Sequence, residues 1–315
     1  MYDLIIIGGS AAASSAAIYC ARRKLNFKIV TLDTGGEVAL SGEVANWPGI
    51  ISIQGFELAQ KFNEHVRSYG VEIEEGWKIE KIAPVKKHYI LTAANGNGET
   101  KEIETKSVII ATGIHPRRLE IPGERELDRK GVTYCTVCDG PLFKNKTTVT
   151  VGSGNSALES ALMMAGISKT VYVLSKFPNT PEQNGGFPKG ENILIEKVKS
   201  LPNIEIIYEA ATTAIIGESK VAAIKYKTGK GQEQDLAVEG VMVHIGQIPN
   251  SQFVDGVEKN KMGEIIVDKK CRTNLPGVFA AGDVTDVAYK QIGIAAGQGI
   301  IAALATIEYI NMWKE

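Results

Sequence analysis

Residues 3–33 open with Asp3-Leu4-Ile5-Ile6-Ile7-Gly8-Gly9-Ser10-Ala11-Ala12-Ala13 and close with Phe27-Lys28-Ile29-Val30-Thr31-Leu32-Asp33. The opening run is apolar without alternation, which reads as a strand buried on both faces. A Gly/Ser/Ala turn follows, then an Ala-rich helix from about Ala11 to Arg22. Small side chains let that helix lie close to a sheet. The second strand, Phe27 to Leu32, ends at Asp33. Strand, tight turn, helix and strand within about thirty residues make a βαβ unit.

The pattern returns downstream. Thr147 to Val151 is apolar and β-branched. Gly152-Ser153-Gly154-Asn155-Ser156-Ala157 follows, then a helix through Met164 and a strand from Thr170 to Leu174. Two such units imply an α/β fold with two dinucleotide-type sites, or one site and a relic. Other apolar strands run into turn signals: Lys106–Ile110 into Ala111-Thr112-Gly113, Gly240–Ile245 into Gly246-Gln247-Ile248-Pro249-Asn250, and Gly277–Ala281 into Gly282-Asp283. Ile204–Glu209 and Lys220–Lys227 alternate like strands of one small sheet. Pro178–Gly190 reads as a loop, and Ala295–Tyr309 as a long apolar-periodic helix. The expected architecture is two Rossmann-like three-layer domains. One is discontinuous, 1–115 with 247–315, and the other, 116–246, is inserted into it.

The 315 residues carry 35 basic and 36 acidic side chains, a formal net charge of -1. That balance gives no electrostatic footprint for nucleic acid. No run reaches the ~18 apolar residues of a membrane span, and Met1–Ile7 reads as a strand without a basic leader. No membrane partner is expected. Four cysteines in a chain this long do not make a disulfide scaffold, so a reducing cytoplasm is the simplest setting.

The dinucleotide fingerprint is Gly-x-Gly-x-x-Gly/Ala between a strand and a helix, where backbone N–H groups and the helix N-terminus meet a pyrophosphate. In the first unit its register falls on Gly8, Ser10 and Ala13, with Gly9 between. Ser10 departs from the pattern, and its hydroxyl is expected to bond a phosphate oxygen instead. Asp33 stands where an acid bonds ribose hydroxyls. A turn that binds nothing remains open on these residues alone. Ala280-Ala281-Gly282-Asp283 and Tyr289-Lys290-Gln291-Ile292, followed by an Ala/Gly-rich helix, fit a flavin platform. Asp283 would bond the ribityl chain, and a helix starting near Gln291 would face the flavin N1–C2=O edge.

Gly131-Val132-Thr133-Tyr134-Cys135-Thr136-Val137-Cys138-Asp139-Gly140-Pro141 places two cysteines three apart. That spacing closes a small disulfide ring and often lowers a thiol pKa. Asp139 is positioned to move a proton to or from a thiolate. Half a zinc site, two reduced structural cysteines and a static disulfide are the alternatives. No metal site is expected, because Cys20 and Cys271 are isolated and the four histidines are scattered.

Cys-x-x-Cys-Asp-Gly ahead of a second glycine motif resembles the low-molecular-weight thioredoxin reductases and the related flavoprotein of alkyl hydroperoxide reductase. Gly35-Gly36-Glu37, Asn46-Trp47-Pro48-Gly49, Ala111-Thr112-Gly113, Ile121-Pro122-Gly123-Glu124, Ile245–Asn250 and Gly277–Asp283 match in family order across nearly the whole chain. The resemblance implies FAD held by Gly8, Gly9, Ser10, Ala13, Asp33, Gly36, Glu37, Asn46, Thr112, Gly113, Gly282, Asp283, Lys290 and Gln291. Glu37 replaces the family's usual Gln and Lys290 its usual Arg. It also implies Cys138 facing the flavin, Cys135 attacking a thioredoxin-like protein disulfide, Asp139 as acid/base, and hinges near 115–117 and 245–249. A homodimer is likewise expected. Arg129, Lys130, Leu142 and Phe143 are docking candidates, with ordinary surface and core as the alternative.

Gly152, Gly154 and Ala157 satisfy the fingerprint, and in the family this loop, with Asn155 and Ser156, cradles NADPH. The Arg cluster that receives its 2′-phosphate is missing. Lys176 stands alone in Ser175-Lys176-Phe177-Pro178, and no Arg occurs between Arg129 and Arg272. The expected donor is NADPH or NADH, with ferredoxin as an alternative. A dithiol oxidase using O₂ and a non-catalytic redox-sensing flavoprotein are the other readings.

Overall fold

A computed structural model describes residues 1–41 and 43–314, leaving aside the side chains of Glu43 and Cys138. The chain divides into two compact units, Met1–His115 with Ile248–Glu315 and Pro116–Gln247. The fold is α/β, with parallel strands at the centre of each unit.

In the first unit Tyr2–Ile7 lies between Phe27–Thr31 and Thr100–Ile110, parallel to both. Ile73–Glu75 and Val278–Ala280 extend the parallel part at its two ends. Trp77–Val85 and His88–Asn95 add an antiparallel meander to Thr100–Ile110. The uninterrupted apolar runs are explained by burial on both faces. Leu4, Ile6, Ile29 and Ile109 pack on the helices, whereas Ile5, Ile7, Val30 and Val108 pack with meander residues such as Leu91 and Ile103. The helices Ala11–Arg22 and Ile292–Met312 cross so closely that a Cβ on Gly299 would stand 2.1 Å from the Ala12 carbonyl oxygen.

That last helix bears on the membrane expectation without overturning it. Among the described residues it is the one long and apolar enough to cross a membrane, with a mean hydropathy of 1.4. Its buried residues, which include Ala295, Ala296, Gly299, Ala302 and Ala303, are small because they face the Ala-rich helix.

In the second unit five described strands are parallel, in the order Val132–Thr133, Gly240–Val243, Thr147–Val151, Thr170–Leu174, Ile204–Ile207. Val149, Val151, Leu174, Val241 and Val243 pack toward an antiparallel sheet of Ala211–Gly217, Val221–Lys227 and Glu233–Ala237. Val171, Val173 and Met242 pack toward the helices Asn155–Ala165 and Asn192–Ser200. The small sheet expected to hold both Ile204–Glu209 and Lys220–Lys227 does not form. Ile204–Ile207 pairs with Thr170–Leu174 as a parallel edge, and Val221–Lys227 is the centre of the separate antiparallel sheet. Alternation alone does not report which strand a segment pairs with.

Candidate functional site

In the first unit the carboxyl ends of three strands converge on the first glycine turn. Gly8 has φ +119°, and a Cβ there would stand 2.2 Å from the Ala111 carbonyl oxygen. At Gly9 it would stand 2.5 Å from the Asp33 carbonyl oxygen. Ser10 caps the helix with an extended backbone, φ -116°. Its hydroxyl donates to the Gly35 carbonyl at 2.7 Å, so the proton expected to reach a phosphate is engaged inside the protein. Ala13 is fully buried against the sheet.

Two carboxyls, Asp283 and Asp33, act on a third, Glu37, beside this turn. Glu37 sits in the first turn of Gly36–Leu40, where Gly36 has φ +49°. Its carboxyl is held above the usual range, chiefly by desolvation; His115 opposes the rise, and Asp283 and Asp33 add to it. Asp283 follows the strand Val278–Ala280 and Gly282, whose φ is +79°. Desolvation raises the Asp283 carboxyl and Lys290 opposes it, while its Oδ1 is buried without a hydrogen-bond partner. A buried acceptor left alone costs about 1–3 kcal/mol. A hydroxyl-bearing chain would satisfy it, so these residues fit FAD.

Lys290 donates to the Thr285 carbonyl at 2.6 Å and pairs with Glu264 at 2.8 Å; it acts on Asp283 as a charge. Gln291 caps Ile292–Met312, and its side-chain oxygen accepts from Asn46 at 3.1 Å. Thr112 donates to the Asn250 carbonyl at 2.6 Å, and the Asn250 amide donates back to the Thr112 carbonyl at 2.8 Å. Gly113 beside it has φ +65° with open space around it.

The second unit carries the other glycine turn and the cysteines. Gly152 has φ +152°, and a Cβ there would stand 2.2 Å from the His244 carbonyl oxygen and 2.8 Å from the Ala157 Cβ. Gly154 caps Asn155–Ala165 with φ -118°. Lys189 forms a parallel bridge with Gly154. Asn155 donates to Glu191 Oε1 at 2.8 Å and accepts from the Glu191 N–H at 2.8 Å. Ser156 is exposed in the first helical turn. Ser175, at the strand end where an acid would select NADH, is fully buried and donates to the Gly186 carbonyl. It therefore fastens the following loop. Lys176 is exposed, with its ammonium 5.3 Å from the Phe177 ring centre. Lys189 is a second cation beside the loop. Nothing in its local sequence marks it, because its bridge to Gly154 is a contact between distant segments.

Cys135 is disulfide-bonded, and the free cysteines among the described residues are Cys20 and Cys271. The Cys138 side chain lies outside the described residues; its backbone belongs to the short helix Thr136–Asp139. The Thr133 hydroxyl accepts from the Cys135 N–H at 3.1 Å and contacts Asp139 Oδ2 at 2.5 Å. The Asp139 N–H donates to the Cys135 carbonyl at 3.1 Å. Asp139 is thus fixed to the turn that carries Cys135. Next to it, Tyr134 donates at 2.8 Å to Glu124, a fully buried carboxylate that also accepts from the Leu119 and Glu120 N–H groups, each at 2.7 Å.

Phe143 is buried in the core against Gly240 and offers no docking surface, whereas Leu142 is 68% exposed. Lys130 donates to the Glu126 carbonyl at 3.2 Å, and Arg129 takes a left-handed φ of +60°. Burial pushes the Cys20 and Cys271 thiols up to about 12, which makes both unreactive. Cys271, expected to lack a partner, contacts the Gln298 carbonyl at 3.6 Å.

Residues 2–299 match the family described as pyridine nucleotide-disulphide oxidoreductase. The F protein of an alkyl hydroperoxide reductase from Staphylococcus aureus is 40% identical over 98% of this chain and 59% of its own length. An NADH dehydrogenase of Bacillus subtilis is 37% identical over 98% of this chain and 58% of its own. The chain thus spans somewhat under six-tenths of these curated relatives. Among solved structures, a thioredoxin reductase of Lactococcus lactis superposes with a TM-score of 0.80 at 32% identity, covering 99% of this chain and 100% of that one.

Proposed function

The chain belongs to the pyridine nucleotide-disulphide oxidoreductase family, and we propose that it reduces a thioredoxin-like protein disulfide through Cys135 and Cys138. FAD and a pyridine nucleotide are the family's cofactors. When bound, FAD supplies a two-electron relay between a hydride donor and a disulfide. The observation that carries the reading is the disulfide-bonded Cys135 in a turn to which Asp139 is fastened, in the unit that bears the second glycine loop.

In this reading Asp283 bonds the ribityl hydroxyls, Asp33 the adenosine ribose, and the N-terminus of Ala11–Arg22 the pyrophosphate. Gly36, Glu37, Asn46, Thr112, Gly113 and Gln291 complete that site. Cys138 would be the sulfur nearer the cofactor, which when bound would supply the electron pair. Reduction breaks the Cys135–Cys138 bond and leaves the electron pair on the two sulfurs. Asp139 supplies a proton to the departing Cys135 sulfur. Cys135 returns that proton to Asp139 and attacks the partner disulfide as the thiolate, and Cys138 resolves the mixed disulfide, releasing the partner, which takes up two protons to become a dithiol. Gly152, Gly154, Asn155, Ser156 and Ala157 receive the nicotinamide donor. Lys176 and Lys189 are point charges and give no two-pronged grip on a 2′-phosphate. NADH and NADPH are therefore expected to differ by less than about tenfold in kcat/KM, a margin below about 1.4 kcal/mol. A cytoplasmic homodimer is part of the same proposal.

Anaerobic stopped-flow mixing with NADH, NADPH and reduced ferredoxin tests the donor. Bleaching of the flavin by at least one nicotinamide is expected. Bleaching by ferredoxin alone would overturn the nicotinamide assignment. Cys135→Ser and Cys138→Ser should each retain the flavin and lose thioredoxin-disulfide turnover by at least about 10³-fold.

A further inference from the structure

Thr136 occupies the position between Cys135 and Val137, yet its side chain faces inward and is 5% exposed. Its hydroxyl lies 2.6 Å from the Ser160 hydroxyl and 2.7 Å from His244 Nε2. Ser160 in turn lies 3.4 Å from the Thr150 hydroxyl. Thr150 and Ser160 are buried as well. Four polar groups from four segments thus form one chain beneath the cysteine turn. Thr150 lies on the strand entering the glycine loop, and Ser160 on the helix leaving it. His244 directly follows the strand Gly240–Val243.

His244 is fixed at its backbone too. Its N–H donates to the Val151 carbonyl at 2.8 Å, and its own carbonyl closes on Gly152. Burial pushes its imidazole down to about 4, so the ring is neutral at neutral pH. A neutral ring and three hydroxyls can satisfy one another in sequence, the two inner oxygens, Thr136 and Ser160, each accepting one proton and donating another. Removing one member leaves a buried neighbour unsatisfied.

We infer that His244 is a positioning residue for the redox turn: through Thr136 it holds the turn against the glycine-loop helix and so sets the balance between disulfide and dithiol. The inference deepens the disulfide-reductase reading and rests on it. A disulfide demands a narrow separation and orientation of its two residues, whereas a dithiol does not. A turn held in one geometry therefore favours the bonded form, and a loosened turn favours the open one.

The test is equilibration of the flavin-loaded protein with glutathione. The protein disulfide plus two glutathione thiols gives the protein dithiol plus one glutathione disulfide. Alkylation and mass measurement read the dithiol fraction. Thr136→Val removes the hydroxyl at constant shape, and His244→Leu removes the imidazole. Each should shift the equilibrium constant toward dithiol by about threefold to tenfold. His244→Gln keeps a neutral polar group near Nε2 and should stay within about twofold of the parent. Thr136→Val decides the matter if His244→Leu does not fold, as judged by circular dichroism. An unchanged equilibrium in folded Thr136→Val would overturn the inference, as would a shift in His244→Gln equal to that in His244→Leu. Retained disulfide turnover in Cys135→Ser would instead overturn the reductase reading.

Discussion

The two glycine turns share one plan and differ in what surrounds them. At the first position they are alike: Gly8 and Gly152 have φ +119° and +152°, and each would drive a Cβ to 2.2 Å from a carbonyl oxygen. At the third position both backbones are extended, φ -116° at Ser10 and -118° at Gly154, a conformation open to any residue. Ser10 therefore departs from the motif without disturbing the turn. The surroundings separate the two. The weaker match lies among the carboxyls of Asp33, Glu37 and Asp283. The better match has Lys189 and Glu191 brought across its helix N-terminus. Match quality reports backbone geometry, and neighbours from distant sequence decide what the turn receives.

The largest expected effect breaks the comparison at its shared position. Gly8→Ala and Gly152→Ala should each destabilise the protein by about 4 kcal/mol or more, because backbone must move. Thermal unfolding followed by circular dichroism checks both. Gly154→Ala sharpens the contrast: the nearest atom to its Cβ is that of Lys189 at 3.9 Å, so stability should change by less than about 1 kcal/mol.

His244 is expected to produce the next largest effect. Its folded value is pushed below the ordinary 6.5 to about 4 by burial. The unfolded chain then binds the proton more readily. The stabilising contribution is full above pH 6.5 and is lost as pH falls toward 4, by about 3 kcal/mol in all. Denaturant unfolding between pH 4 and 7 should show this loss in the parent protein and a smaller one in His244→Gln.

Asp283 distinguishes the first turn from the second. Its carboxyl is raised by desolvation, so in the cofactor-free protein its charge opposes folding above the ordinary carboxylate range. Asp283→Asn should stabilise the flavin-free protein in thermal melts and weaken FAD binding by about tenfold to a hundredfold in fluorescence titration. Lys189→Ala should act least, raising the KM for NADPH by a few-fold with little change in kcat.

Much of this layout was legible in the sequence. Apolar runs closed by glycine located the βαβ units, since a strand buried on both faces leaves no other pattern. The helix starts beside Ser10 and Gln291 also followed from local chemistry, whereas the helix after the second turn begins at Asn155, inside the stretch read as the turn. Pairing partners did not, because Ile204–Ile207 and Val221–Lys227 look alike until their neighbours are known. Lys189, Glu191 and His244 reach the second turn through tertiary contacts that no spacing encodes. Sequence left Phe143 open between docking surface and core beside Leu142, and its packing against Gly240 makes it core.

An anaerobic dithionite titration of the flavin-loaded protein bears most directly on electron transfer between FAD and the cysteine pair. Full reduction should take about two equivalents of dithionite per flavin in the parent, one for FAD and one for the disulfide, and about one in Cys138→Ser. A parent protein fully reduced by one equivalent, with Cys135 still disulfide-bonded, would contradict that transfer.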